Sequence, residues 1–474
     1  MTHWTIPVIL GSVKDKSHSD VIVSFFNKFN RIYHTDITVN VRACSAHKNS
    51  AHLRKIISAY ENYVPCFVTI AGKSNALSAV VDAMTSKPVI SCPPISTRSN
   101  NIHDIFSSLS LPSGVAPLTV LNYENCCLAV VKMIGLLDPD VNRGMTHYQT
   151  SLRDKIRIED LKTVALYSKE SMDNSTDRKD EDELYSDLKL IRKGKVRDIY
   201  SAPSLDDSGR NILVMRATNR LSSFDRYICS VPYKGEMLNR ISIWWFNQTR
   251  DIIPNHFIQY HGRDGMVVHK CEPIMVEFVV RSYMTGSTNT SIWKNYERGM
   301  REYCGHTIRD GYKRNEPLDK VIVTPTTKGE TDELIDAKGI VDSGLMTQEE
   351  WEYCEQTALK LFEMGQKIAD HFGMILVDTK YEFGKAPDGS IMLIDEVHTP
   401  DSSRYWVKHS YLERMSAGEE PENIDKDIIR KWAKKEYDDP YSMEGGSFDV
   451  PDELVDLVSL RYIQLYKIIT DKAL

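Results

Sequence analysis

Asp378, Lys380 and Glu382 alternate along the run Val377–Gly384, and a second apolar run, Met392–Ile394, leads directly into Asp395-Glu396. The stretch Ala386-Pro387-Asp388-Gly389-Ser390 between them predicts a hairpin turn. A period of two places the three charged side chains on one face of the first strand, with Asp395 close by on the second. Carboxylates gathered at strand ends repel one another unless a cation lies between them, and hard oxygen ligands beside phosphates suit Mg²⁺. A solvent face of alternating charge is the competing reading. Just beyond, Thr399-Pro400-Asp401-Ser402-Ser403-Arg404-Tyr405-Trp406 packs hydroxyls, a carboxylate and an arginine into one turn. Such a turn can grip a phosphate or carboxylate, or it can be an ordinary capped turn. Upstream, Gly194-Lys195-Val196-Arg197 combines a glycine that lets the backbone approach a phosphate with a lysine point charge; a basic hairpin tip has the same composition.

A second constellation lies near the N-terminus. Gly11-Ser12 follows the apolar run Ile6–Leu10, Ser45-Ala46-His47-Lys48 follows Ile37–Ala43, and Gly72-Lys73-Ser74-Asn75 follows Cys66–Ala71. If each run is a strand of one parallel sheet, the three loops converge at its carboxyl edge, where such sheets bind ligands. His47, flanked by hydroxyls and a lysine, suits a proton shuttle in a phosphate-binding cleft; a surface histidine is the bland alternative.

These loops need rigid carriers, and the rest of the chain supplies them. Short apolar runs alternate with helix-like stretches through about residue 140, including strands at Pro88–Cys92 and Leu118–Leu121 and a closing helix at Cys126–Leu137. That βαβα pattern predicts a parallel sheet with helices on both faces. Lys169–Asp187 is dense in Asp, Glu, Lys and Ser and reads as a solvated linker. From Leu188 a different pattern begins, with strands near Leu188–Ile191, Asp198–Tyr200 and Ile212–Arg216, and long helices at Gly235–Asp251, Gln348–Phe372 and Glu453–Lys472. The expected organisation is an α/β domain over 1–140, a linker over 141–187 and an α+β domain over 188–474. A chain of 474 residues, 41% hydrophobic and 26% charged, fits two folded domains. Its net charge of -7 argues against nucleic-acid or anionic-membrane partners, and nine irregularly spaced cysteines argue for reduced thiols. Without a basic n-region or an apolar stretch of spanning length, the expected location is the cytoplasm.

Six ordered motifs carry a resemblance over residues 188–474. They are Gly194–Tyr200, Ala217–Asp225, Val279–Ser287, Thr324–Lys328, Asp378–Gly384 and Asp395–Arg404. This half resembles phosphoribosylaminoimidazole-succinocarboxamide synthetase. The resemblance implies an ATP-dependent ligase that phosphorylates the carboxylate of a carboxylated aminoimidazole ribonucleotide and joins it to aspartate through the acyl phosphate. It implies Gly194, Lys195 and Arg197 at the ATP phosphates, Glu382 and Asp395 on Mg²⁺, and Arg281, Ser287, Asp401, Ser402 and Arg404 on the ribonucleotide. Asp332, Asp378 and Lys380 would surround the reacting groups, with Asp378 and Lys380 catalytic. Asn219 stands where the family has Asp, and Thr331 where it has His.

Residues 5–138 resemble aminoimidazole ribonucleotide carboxylase of the animal type, which uses CO₂ directly. Ser45–Lys48, Ala71–Asn75, Pro88–Pro94, Ser107–Leu109 and Leu111–Gly114 carry the likeness. It implies a three-layer, flavodoxin-like fold, His47 as the catalytic group, and a substrate site of Gly11, Ser12, Asp15, Ser45, Lys48, Gly72, Lys73, Ser74 and Asn75. A homo-octamer built through this domain is also implied. Lys14, Ala76 and Ser78 depart from the family pattern, and they motivate an alternative in which this domain is a non-catalytic oligomerisation scaffold for a working synthetase.

Overall fold

A computed structural model describes residues 2–72, 75–94, 103–174, 181–201, 211–223, 226–329, 332–424, 427–437 and 448–471. The chain forms two compact units, Met1–Leu152 and Arg153–Leu474.

Unit 1 alternates β1 (His3–Leu10), α1 (Lys16–Tyr33), β2 (Asp36–Ala43), α2 (Ser50–Tyr60), β3 (Phe67–Ile70), α3 (Ala76–Asp82), β4 (Val89–Ser91), α4 (His103–Leu109), β5 (Leu118–Thr119) and α5 (Tyr123–Gly135). All pairings are parallel, in the order β2-β1-β3-β4-β5. That is the doubly wound, flavodoxin-like order. The interior strand β1 is buried from Thr5 to Leu10, whereas the edge strand β2 is mostly exposed or half-exposed. A strand covered on both faces must be apolar throughout, as Ile6-Pro7-Val8-Ile9-Leu10 is. Ile6, Val8 and Leu10 pack with α1 and α5 through Ile22, Phe26, Val130 and Ile134. Ile9 points the other way and packs with α2 and α3 through Leu53, Ile57, Leu77 and Val81. Each such side chain contributes about 1.5–3 kcal/mol on full burial, so the three layers are held by burial on both faces of one sheet.

The stretch expected as a linker, 141–187, is largely helical. Helix α6 runs Pro139–Asp173. Val141 and Met145 bury into the core of unit 1, and Ile158 and Ala165 into the core of unit 2. The charge-dense stretch on which the linker expectation rested, Lys169–Asp187, overlaps only the last turn of this helix.

Unit 2 opens with β6 (Lys189–Lys193), β7 (Arg197–Ser201), β8 (Ile212–Ala217), β9 (Arg220–Ser223), β10 (Arg226–Ser230), α7 (Lys234–Gln248), β11 (Phe257–His261) and β12 (Gly265–His269). It continues through β13 (Glu272–Tyr283), α8 (Ile292–Glu297), the short hairpin β14 (Glu302–Tyr303) and β15 (His306–Thr307), β16 (Pro317–Thr327), α9 (Ala337–Asp342) and α10 (Gln348–His371). The last elements are β17 (Met374–Lys385), β18 (Ile391–Ile394), β19 (Ser403–Val407), α11 (Lys408–Ser416), α12 (Asp427–Glu436) and α13 (Asp452–Thr470). Its two main sheets are antiparallel. One runs β11-β12-β8-β7-β6; the other runs β16-β13-β17-β18, with β19 also paired to β17. Thr347 caps α10 in a reciprocal capping box with Glu350, which sets the start of that helix where the sequence reading had it.

Candidate functional site

The predicted hairpin forms. β17 and β18 pair with Glu382 opposite Ile394, so Asp395 follows at the end of the second strand. Asp388 Oδ1 accepts the Ser390 amide at 2.9 Å, and Gly389 takes a φ of +87° to close the turn. Asp378, Lys380 and Glu382 share one face, and β13 sets Arg281, Val279 and Glu277 opposite them.

At one end of this face lies an acid cluster. Lys380 Nζ donates to Glu277 Oε1 at 2.8 Å and to Glu382 Oε1 at 3.1 Å, while Lys328 pairs with the other oxygen of Glu382. Arg197 donates to Asp395 Oδ1 at 3.2 Å and Glu396 Oε2 at 2.5 Å. Burial would raise Glu382, but Lys380 and Lys328 overcome it and hold the carboxyl well below its usual range. Burial raises Asp395, and repulsion from Glu382 and Glu396 adds to it against the pull of Arg197. The carboxylates Glu277, Glu382, Asp395 and Glu396 thus face the cations Arg197, Lys328 and Lys380, and Asp395 shares Arg197 with Glu396. Two carboxylates of opposite tendency side by side suit a divalent cation completed by phosphate oxygens. Among the described residues no group of three or more His, Cys, Asp or Glu could hold a metal alone. Glu382 and Asp395 are oxygen donors of the kind Mg²⁺ takes.

Gly194 forms a tight turn beside this cluster. Its amide donates to Arg197 O at 2.8 Å, and a Cβ there would stand 2.5 Å from that oxygen. Arg220 braces the turn, donating to Gly194 O at 3.0 Å and forking onto both oxygens of Asp198. Lys195 is exposed at the tip.

At the other end of the face, Arg281 and Arg404 converge on Asp378 Oδ2 at 3.3 and 2.7 Å. Arg281 is buried, with its Nε on Thr324 Oγ1 at 2.9 Å. Arg404 also lines a polar pocket with Ser287, Arg314, Asn315, Asn423 and Lys431. Gly286 shapes its wall: φ is +108°, and a Cβ would meet Ser291 Cβ at 2.4 Å. Arg281 is absent from that lining, because its guanidinium is turned to Asp378 and Thr324. Asp332 is exposed in the loop that folds back on the end of β16. Ser402 sits in the turn after Thr399, and its carbonyl accepts the Lys380 amide at 3.0 Å. Asp401 does not open onto the pocket; its oxygens accept from Lys234 and Tyr462.

Unit 1 brings its three loops to the same sheet edge. Gly11 N donates to Ile70 O at 2.8 Å and Cys44 N to Leu10 O at 2.9 Å, so the ends of β2, β1 and β3 are tied together. A Cβ on Gly11 would lie 2.9 Å from Ala71 Cβ, which is why a glycine stands there. His47 and Lys48 are exposed on the turn after β2, Ser45 is half-buried, and Asp15 is half-buried at the start of α1. Lys73 and Ser74 lie outside the described residues. Asn75, expected as a substrate ligand, is 2% exposed, and its amide donates to Ser91 and Ser108 Oγ, each at 2.9 Å. Its oxygen caps α3 on the Ser78 amide. Both ends of the side chain hold the loop together instead.

Sequence reading missed Glu277, Lys328 as its partner across Glu382, and Arg314 and Lys431 of the pocket. Glu277 was within reach: it precedes Arg281 by four, so a period of two puts it on the same face. Arg314 and Lys431 come from loop and helix positions with no local pattern.

Residues 190–443 match the family model described as SAICAR synthetase, and residues 5–155 match that described as AIR carboxylase. The chain belongs to the SAICAR synthetase family. Its synthetase unit is 48% identical over 283 residues to the phosphoribosylaminoimidazole-succinocarboxamide synthase of Legionella pneumophila (strain Paris), covering 59% of this chain and 88% of that protein. The chloroplastic synthase of Arabidopsis thaliana is 45% identical over 335 residues, covering 69% and 79%. A solved SAICAR-synthase from Saccharomyces cerevisiae, complexed with SAICAR, superposes with a TM-score of 0.52 at 29% identity, over 63% of this chain and 99% of that one. An AIR carboxylase unit thus precedes a SAICAR synthetase unit in one bifunctional enzyme of de novo purine biosynthesis, a carboxylase followed by an ATP-using ligase.

Proposed function

We propose that the β13–β17–β18 face is the ligase centre and that each end of it takes one part of the reaction. The observation that supports this most is the arrangement of acid cluster and polar pocket at opposite ends of a single charged strand face. Gly194, Lys195 and Arg197 hold the ATP phosphates at the acid-cluster end. Glu382 and Asp395 would hold Mg²⁺, which when bound neutralises phosphate charge during phosphoryl transfer. Ser287, Ser402 and Arg404, joined by Arg314 and Lys431, take the ribonucleotide phosphate, and Arg281 acts on it through Asp378. Lys380, between the two ends, meets the imidazole carboxylate. That carboxylate attacks the γ-phosphorus of ATP, the bond to the β-γ bridging oxygen breaks, and ADP leaves. The aspartate amine then adds to the acyl carbon, loses a proton, and expels inorganic phosphate as the amide forms. Asp332 and Asp378 orient the incoming aspartate. Lysine and arginine groups fixed by their carboxylates need no reorganisation as charge develops.

In unit 1, aminoimidazole ribonucleotide is carboxylated with CO₂ at the edge formed by Gly11, Ser12, Asp15, Ser45, Lys48 and Gly72, with Lys73 and Ser74 from the third loop. His47, exposed at that edge, moves the ring proton. Ala76 and Ser78 form the first turn of α3, where the backbone accepts any L-residue; the departures from glycine there do not by themselves favour the scaffold alternative. Exposed Phe106, Leu109, Leu118, Leu121, Leu136 and Leu137 support assembly through unit 1; the homo-octamer is what the family resemblance implies. Among the described residues no helix is long and apolar enough to cross a membrane. The test is one coupled assay: aminoimidazole ribonucleotide, CO₂, ATP, Mg²⁺ and aspartate should give the succinocarboxamide product, and omitting Mg²⁺ should abolish it.

A further inference from the structure

One buried ion pair of unit 2 stands outside the roles assigned above. Lys234, the first residue of α7, is fully buried, and its Nζ donates to Asp401 Oδ2 at 2.8 Å. Tyr462 on α13, also buried, donates its hydroxyl to Asp401 Oδ1 at 2.6 Å. Taking such a pair out of water is costly, and an apolar pair of similar volume is often as stable, so stability alone gives no reason for these residue types. Their geometric effect is specific. The Asp401 and Ser402 amides both donate to Thr399 Oγ1 at 3.2 Å, the Ser402 carbonyl takes the Lys380 amide, and Arg404 follows at the start of β19. Asp401 is therefore the point at which two helices grip the turn that carries Ser402 and Arg404. Elsewhere α13 is fastened independently, by Ser459 Oγ donating to Pro232 O at 2.8 Å.

We propose that Tyr462, through Asp401, is a positioning residue for ribonucleotide binding, and that the C-terminal helix thereby sets the placement of Ser402 and Arg404. This rests on the reading of that turn as the ribonucleotide site. A directional hydrogen bond from a rigid helix fixes the orientation of the Asp401 carboxylate, which Lys234 alone, a rotatable point charge, does not.

Tyr462→Phe removes the bond and keeps the ring, over whose face Lys234 Nζ stands 5.6 Å from the centroid. In the full-length protein it should raise the ribonucleotide KM of the ligase about 5- to 20-fold and leave the ATP KM within about twofold. Ser459→Ala loosens the same helix without touching Asp401; it should lower the melting temperature at least as much as Tyr462→Phe and leave both KM values unchanged. A normal ribonucleotide KM in Tyr462→Phe, with a raised one in Arg404→Ala, would overturn the positioning role alone. So would an equal KM rise in Ser459→Ala, which would reduce Tyr462 to an anchor. Unchanged values in both Tyr462→Phe and Arg404→Ala would overturn the ribonucleotide reading and this inference with it.

Discussion

At the scale of residues, the proposed ligase centre turns on which carboxylate keeps its charge and which resists it. Lys380 and Lys328 hold Glu382 ionised, while Asp395 is pushed toward its neutral form by burial and by Glu382 and Glu396. A dication relieves that repulsion, so Glu382→Gln or Asp395→Asn should reduce ligation by roughly 10²-fold or more with the fold intact. Turnover at saturating Mg²⁺, with circular dichroism for the fold, checks this; near-normal turnover in either variant contradicts the metal assignment. Arg404→Ala should raise the ribonucleotide KM by about tenfold or more, since charge-assisted bonds to a phosphate carry roughly 1.5–3 kcal/mol. Asp378, Lys380, Glu382 and Asp395 were legible in the sequence because a strand's period of two is strict. Arg281 entered only through the family resemblance, and its turn toward Asp378 was not legible, because that depends on the register of β13 against β17. The bracing partners of Asp401 and Asn75 were not legible for a related reason: a polar residue in a loop reads the same whether it meets substrate or braces the fold.

At the scale of elements, glycines mark where strands and turns approach too closely for a side chain. Gly194→Ala would drive a Cβ into Arg197 O, displacing the turn and the arginine that faces Asp395 and Glu396. It should raise the ATP KM about tenfold or more while leaving carboxylation unchanged, as parallel assays of the two activities would measure. Two buried histidines set a second element-scale property. Burial lowers His256 and His398 to about 3 from the ordinary value of 6.5, with Arg197 and His269 adding to the shift at His256. Both stay neutral in the folded unit and take up protons when it unfolds. Their contribution is complete above pH 6.5 and is lost as pH falls from there toward 3. Between pH 7 and pH 5 unit 2 should lose about 2 kcal/mol per histidine. His398→Gln, measured by chemical denaturation across that range, should flatten the dependence. Strands β6, β7, β8, β17 and β18 and the long helices α7, α10 and α13 were legible from the pattern of apolar residues, whereas strands such as β13 and β16 were not placed. Helix α6 was not, since its buried residues Val141, Met145, Ile158 and Ala165 are scattered through a charged sequence.

At the scale of the whole molecule, the two units carry consecutive chemistry on unrelated folds. A parallel sheet offers loops at one edge; an antiparallel sheet offers a charged strand face. Each unit was recognisable from its own pattern, and the order of the activities follows from the order of the patterns along the chain. The central claim is that the carboxylase and ligase centres are separate, each built from its own unit's residues. His47→Asn tests it most directly, because His47 stands at the sheet edge of unit 1 and the proposed ligase residues all belong to unit 2. Succinocarboxamide formation should be measured for this variant from two starting nucleotides. The account predicts a loss of about 10²-fold or more when aminoimidazole ribonucleotide and CO₂ are supplied, and full ligation when the carboxylated nucleotide is supplied directly. Loss of product from both starting points, or from neither, would contradict it.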